Sequence, residues 1–359
     1  MASKLEEARR IISEVDAEMA ALFVRRMRAA ELVAAHKREH GLPILDAARE
    51  AEVIERGSAL IEDEVLRGYY VEYQKQLMAV SRAYQHRLMS GLRVAYSGVA
   101  GAFAHIAAGR ILSDGERVAY ADFKAAYEAV VRGECDLAVL PIENSYAGEV
   151  GQTVDLIFSG DLYINGIYPL EIRQNLLGLP GTTVRELREV VSHPQAISQC
   201  REYIERQGLG VREAGNTAEA ARAVAEAGDR TVGAIASAET AELYGLEVIE
   251  ANIHTSGENT TRFAVLSRAR AASLGSSVLL FTVKHEAGSL AAALSIIGRY
   301  GYNMTALRSR PMRKHSWQYY FYVEIDGSTE SENGRAMLAE LSEVCDRLKV
   351  AGSFSPHAL

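Results

Sequence analysis

From Leu5 to about His40 the chain holds one unbroken helical pattern. Ile11, Ile12, Val15, Met19, Leu22, Phe23, Ala30 and Val33 mark its apolar stripe, and Gly41 and Pro43 end it. At 1.5 Å per residue such a helix is roughly 50 Å long. Residues 1–90 contain no segment that reads as a strand. A rod of that length does not fit inside a compact monomer of this size, so the pattern predicts an intertwined helical dimer. Two shorter helices are expected after it, about Leu45–Ala59 and Glu62–Met89.

The pattern changes at Leu92, with Ser90-Gly91 as the visible hinge. Short apolar runs now alternate with helical ones: RVAYS and a helix through Ala107, DLAVLPIEN, EVVSHP and a helix from Gln195, TVGAIAS and a helix through Tyr244, then TRFAVL. Such alternation predicts an α/β domain with mostly parallel sheets, whose strand tips carry ligand groups. A polar, alanine-rich stretch from Ser267 to Ser276 separates the last part. Residues 277–359 read as strand, helix, two strands (TALRSRP and WQYYFYVEID), helix and strand, the βαββαβ order of a ferredoxin-like unit. The expected organisation is therefore multidomain: 1–90 all-α, 92–268 two-lobed α/β, and 277–359 α+β.

Composition narrows the chemistry mainly by exclusion. A net charge of −8 disfavours nucleic-acid binding. Cys135, Cys200 and Cys345 lie far apart without metal-ligand spacing, which points to a reducing compartment and to no metal site. The N-terminus, MASKLEEARR, carries no hydrophobic signal segment, and no run of about 18 apolar residues occurs. The expectation is a cytoplasmic protein without a membrane partner. No dinucleotide fingerprint, Walker loop, HExxH or GxSxG motif is present, so no cofactor is expected.

Polar residues on the apolar helices carry the first functional signal. Arg26 and Lys37 are eleven residues apart and fall about 20° from one another around the helix. Arg9 falls roughly 100° off that face, and would reach a shared pocket more easily from the helix of a partner. Asp46, Arg49 and Glu50 share a face at i, i+3, i+4, as Ser81 and Gln85 do at i, i+4. Singly, each reads more readily as a solvated face or a helix-stabilising pair than as a site. Jointly, residues 4–90 resemble the all-helical chorismate mutases, with Arg9, Arg26, Lys37, Asp46, Arg49, Glu50, Ser81 and Gln85 at that family's active-site positions. The resemblance implies that Arg9 and Arg26 grip the two substrate carboxylates. Lys37 and Gln85 would serve the breaking ether oxygen, and Glu50 the substrate hydroxyl.

In the central third, polar clusters stand at strand tips: Ser97-Gly98, Glu143-Asn144-Ser145, Ser192-His193-Pro194-Gln195, Asn216-Thr217 and the run ENTTRF. Each alone reads more often as a cap or turn than as a site, and His193 before proline reads as structural. Their order and spacing in PIENSYAGEV, VSHPQAISQC, NTAEAAR, GAIAS, TAELYGL and ENTTRF resemble prephenate dehydratase over residues 92–268. That family places its active site in a cleft between two α/β lobes and converts prephenate to phenylpyruvate. Thr261 stands at the family's catalytic threonine. The resemblance gives Glu143, Asn144, Ser192, Gln199 and Arg262 the task of positioning substrate, with Arg262 a natural carboxylate partner. Thr217 and Phe263 are further substrate-binding candidates. Val99 and Ala100 stand where the family carries a Pro-acidic pair.

The last third resembles an ACT domain, an amino-acid-binding regulatory module. Gly288-Ser289-Leu290 matches its Gly-Ala-Leu turn, and Gly301-Tyr302-Asn303-Met304-Thr305 its ligand loop. Its Glu-Ser-Arg-Pro signature is here Arg308-Ser309-Arg310-Pro311. The resemblance implies a phenylalanine effector held by Gly288, Ser289, Leu290, Asn303, Met304, Ser309, Arg310 and Pro311; pairing through the sheet alone is the alternative. The combined expectation is a homodimer or homotetramer that takes chorismate through prephenate to phenylpyruvate. Two other readings stay open: a dehydratase of the aminated substrate arogenate, and a two-lobed module that binds a solute without reaction.

Overall fold

The computed structural model describes residues 3–255, 259–271, 275–312 and 318–355. Gly257 and Glu258, residues 272–274 of the expected separator, and Trp317, expected to open a strand, lie outside the described residues. The chain divides into two compact units. One comprises the residues up to Arg93 together with Arg132–Asp136; the other holds the remainder.

The first unit is built on three helices: α1 (Lys4–His40), α2 (Ala47–Ser58) and α3 (Glu64–Ser90). Local chemistry sets their ends. Ser3 and Glu6 form a reciprocal capping box at the start of α1, and Lys37, Arg38 and His40 sit in its last turn, where cations oppose the helix dipole. Asp46 caps α2 and Asp63 caps α3. The buried residues of α1 and α3 are few: Met27, Ala30, Ala34, Met78, Ser81 and Gln85. By contrast the expected apolar stripe lies open except at Ala30, with Ile12 at 59% and Leu22 at 61% exposure.

The second unit begins with β1 (Arg93–Ser97), α4 (Phe103–Ile111), β2 (Glu116–Tyr120), α5 (Phe123–Val131), β3 (Leu137–Asn144), β4 (Gly148–Glu149), α6 (Gly151–Ser159) and β5 (Tyr163–Glu171). A second lobe follows: β6 (Asn175–Gly178), β7 (Glu189–Ser192), α7 (Pro194–Gln199), α8 (Arg201–Gln207), β8 (Gly210–Glu213), α9 (Thr217–Ala227), β9 (Val232–Ala236), α10 (Ala238–Tyr244) and β10 (Glu247–Glu250). Strand β11 (Thr260–Ser267) returns to the first lobe, between β3 and β5. The chain ends with β12 (Ser276–Val283), α11 (Ser289–Arg299), β13 (Asn303–Pro311), β14 (Tyr319–Asp326), α12 (Glu332–Val344) and β15 (Cys345–Phe354).

Sheet order corrects one expectation. The sheets are mixed rather than mostly parallel: β11 runs antiparallel to both β3 and β5, and β6 antiparallel to both β9 and β10. The boundary expected between β11 and β12 does not interrupt the larger sheet, which runs β13-β14-β12-β15-β5-β11-β3-β1-β2. The joint is the parallel pairing of Gly352 with Ile164. A Cβ at Gly352 would stand 2.0 Å from the Ile164 carbonyl oxygen, so only glycine permits that approach. Separate cores serve the second lobe and the C-terminal elements. The latter is built from Leu279, Phe281, Ile296, Ile297, Val323, Ile325, Met337 and Leu341.

Candidate active sites

In the helical unit, α1, α2 and α3 enclose a cavity of about 410 Å³. Seven of the eight candidates line it: Arg26, Lys37, Asp46, Arg49, Glu50, Ser81 and Gln85. Arg9 does not; it lies more than four turns earlier on α1 and is exposed. Arg56 and Arg82 also line the cavity, and sequence reading missed both. Arg82 donates to both oxygens of Glu50. Arg82 adjoins Ser81, and adjacent helical positions, 100° apart, can flank one pocket. Five cations against Asp46 and Glu50 make the cavity positive, as a dicarboxylate ligand requires. The Nη1 of Arg26 and the Oε1 of Gln85 are buried there with no hydrogen-bond partner. Burying such groups unpaired is costly, so a ligand that satisfies them recovers that cost. Lys37 donates to the Ile44 carbonyl at 2.5 Å, which leaves further ammonium protons for a ligand.

In the second unit, a cleft of about 340 Å³ lies between the lobes. Phe103, Phe123, Pro141, Val150, Ile172 and Phe263 give it apolar walls suited to a six-membered ring. Asn144, Gln199, Thr217 and Thr261 line it together with Gln174 and Asn259, to which sequence reading gave no role. These amides form a directed chain. Two backbone N–H groups, of Tyr146 and Ala147, donate to Asn144 Oδ1 at 3.0 and 2.8 Å and thereby fix which end of that amide is the donor. Asn144 Nδ2 then donates to Thr261 Oγ1 and to Asn259 Oδ1, both at 2.9 Å. Asn259 Nδ2 donates to Gln199 Oε1 at 3.0 Å, and Gln174 Nε2 donates to that same oxygen at 3.3 Å. Because Thr261 Oγ1 accepts from Asn144, its own proton is left for the cleft.

Other candidates fall elsewhere. Residues alternate across a strand, and Thr261 pairs with Asn144 while Arg262 pairs with Glu143. The first pair opens on the cleft and the second on the opposite face. There Arg262 donates to Glu143 at 2.9 Å and grips Glu324 of β14 with two hydrogen bonds of 3.0 and 2.8 Å. Arg262 and Glu143 are therefore placed against the C-terminal elements rather than against a cleft ligand. Burial pushes the Glu143 carboxyl up, but the hydrogen bonds and charges of Arg262 and Arg308 outweigh it and hold the group below its usual range. Ser192, fully buried, donates to the Ile235 carbonyl at 2.6 Å and ties β7 to β9. His193 caps α7 by accepting from the Gln195 N–H, and it also lines the cleft. Cys200 is buried, and that burial pushes its thiol up to about 12, out of nucleophilic range.

The effector candidates are not gathered into one cavity. Leu290 lines a small one of about 110 Å³ with Lys284, His285 and Tyr319, while Asn303, Ser309 and Pro311 stand exposed on β13. Gly288 and Ser289 form the turn into α11, and Met304 packs on the C-terminal core. Arg310 points to the first lobe, where it holds Glu149 at 2.8 Å and Asp155 at 2.9 Å. A Cβ on Gly151 would lie 1.9 Å from its guanidinium.

A three-helix cationic pocket and a two-lobed, amide-lined cleft define a two-activity enzyme, and the comparisons agree unit by unit. Residues 8–86 match the chorismate mutase type II family and residues 94–271 the prephenate dehydratase family. The chain is 32% identical over 364 residues, 99% of each protein, to the bifunctional chorismate mutase/prephenate dehydratase of Aquifex aeolicus. It is 36% identical over 279 residues to the chloroplastic arogenate dehydratase/prephenate dehydratase 2 of Arabidopsis thaliana, covering 74% of this chain and 73% of that one. The crystal structure of the Arthrobacter aurescens prephenate dehydratase in complex with L-Phe superposes with a TM-score of 0.68 at 26% identity, over 74% of this chain and 90% of that one. The chain belongs to the bifunctional chorismate mutase/prephenate dehydratase family. It converts chorismate to prephenate, and prephenate to phenylpyruvate with loss of water and CO₂.

Proposed function

We propose that Thr261 is the donor to the leaving hydroxide in the dehydratase cleft. Loss of the ring carboxylate as CO₂ sends its C–C electron pair into the ring, which becomes aromatic as the C–O bond to the hydroxyl breaks. Hydroxide is a poor leaving group and needs a proton as it departs. The observation that carries the reading is the direction of the amide chain: Asn144, locked by two backbone amides, donates to Thr261 and leaves the threonine proton free. The same donor stabilises negative charge that develops on Oγ1 during transfer. Gln199 and Asn259 keep Asn144 in place, and Thr217 and Phe263 shape the wall. Thr261→Val keeps the shape and removes the hydroxyl. Its kcat is expected to fall by about 10²–10³ with little change in KM. Thr260→Val, one residue away on the other strand face, keeps most of its activity. A Thr261→Val enzyme with near wild-type kcat overturns the assignment.

In the helical unit, the rearrangement needs no nucleophile; a compact conformer and a stabilised ether oxygen suffice. We assign Arg26 to a substrate carboxylate, Lys37 and Gln85 to the ether oxygen, and Glu50 to the hydroxyl. Asp46, Arg49 and Ser81 complete the wall. Arg9 enters this site from a second copy of α1, whose exposed apolar row supports a homodimer or a tetramer built from it. The C-terminal βαββαβ elements have the ferredoxin-like strand order of an ACT module, with phenylalanine as effector. The L-Phe complex of the Arthrobacter relative supports that choice. Domain limits of 1–90, 92–268 and 277–359 follow the same reading.

A further inference from the structure

Beside the proposed threonine two prolines flank β11: Pro169 stands opposite Arg262 on β5, and Pro141 stands opposite Phe263 on β3. The β3–β11 register also shifts between Arg262 and Phe263. A side-chain clamp crosses this irregularity on the far face. Glu324, 3% exposed, accepts from both Arg262 amino groups and from the Tyr322 hydroxyl at 2.7 Å. Arg262 reaches on to Glu143, whose other oxygen takes Arg308 at 2.5 Å. Arg308 lies over the Tyr322 ring at 5.2 Å. Two guanidiniums and two carboxylates thus bolt β3 and β11 to β13 and β14, one residue away from Asn144 and Thr261.

We propose that Glu324 is a positioning residue for the dehydration. Through Arg262 and Glu143 it fixes the Thr261–Asn144 pair in the cleft, although it touches no substrate. The C-terminal elements are then a working part of the dehydratase, and any ligand that moves β14 acts on Thr261 across a single residue. The arginine at position 308, where the signature carries glutamate, gives Glu143 a second cation and tightens the clamp.

The proposal rests on the assignment of Thr261 and is tested against it in the full-length chain. Glu324→Gln keeps the shape but weakens the two-pronged grip. Displacements of about 1 Å cost on the order of 10²-fold, so kcat for prephenate is expected to fall roughly 10- to 100-fold with KM within about twofold. Glu324→Asp is expected to restore part of the loss. In a Thr261→Val background, Glu324→Gln is expected to change kcat by less than about twofold, since the group it positions is already gone. A merely structural role would multiply the two losses. Should Glu324→Gln not fold, as a thermal melt would show, Arg262→Lys keeps the charge, loses the fork and is read in the same cycle. Equal factors in both backgrounds, or a wild-type kcat for Glu324→Gln, overturn the positioning role. A fully active Thr261→Val overturns the threonine assignment instead, so the two failures are distinct.

Discussion

At the scale of single residues, β11 carries two neighbours on opposite faces: Thr261 lines the cleft, and Arg262 holds Glu143 and Glu324 on the far side. Arg262 does bind carboxylates, as its type suggests, but they belong to Glu143 and Glu324 rather than to a ligand. The parity of a strand held the clue: Thr261 and Arg262 are neighbours, and neighbours on a strand face opposite ways. Only one of them can serve a given cleft. The helical site was more legible, because 100° per residue places Arg26 and Lys37 on one face regardless of what surrounds them. Lys37→Ala is expected to lower mutase kcat by roughly 10²–10³, the usual loss for one transition-state donor, while dehydratase turnover stays unchanged. Parallel assays on one preparation check this, and a mutase rate near wild type would remove Lys37 from the reaction.

At the scale of elements, α1 is the clearest case of sequence dictating structure. Its apolar stripe, cap and stop are all local signals, and the helix spans Lys4–His40 almost as read. Central strand β5 was missed, since YINGIYPLE carries a glycine and a proline that argue against a strand. Both tolerate their places through tertiary context. The exposed apolar row of α1 makes a prediction proper to this scale. If Arg9 completes the pocket of a partner, Arg9→Ala and Lys37→Ala are each inactive as mutases, yet a mixture unfolded and refolded together regains activity. Random pairing makes half of the dimers mixed, each with one intact site, so about a quarter of wild-type activity is expected. No recovery on mixing would place Arg9 outside the site.

At the scale of the whole molecule, the second unit is one structure where the sequence reads as two. The β15–β5 pairing and the clamps at Arg262 and Arg310 join the C-terminal elements to the first lobe. Phenylalanine is therefore expected to lower the dehydratase rate, by a factor within the 5- to 150-fold range common for such coupling, and to leave the mutase rate unchanged. Rates measured against added phenylalanine check this, and a flat dehydratase curve excludes the control. Among the described residues no helix is long and apolar enough to cross a membrane. The helices, the change of fold class at Leu92 and the family follow from the sequence, because periodicity and spaced motifs are local or additive. Which face of β3 and β11 meets the cleft, which arginines pair within the protein, and that Asn144 donates to Thr261 come from the packing of the folded chain. Those depend on groups far apart in the chain that burial obliges to pair with one another.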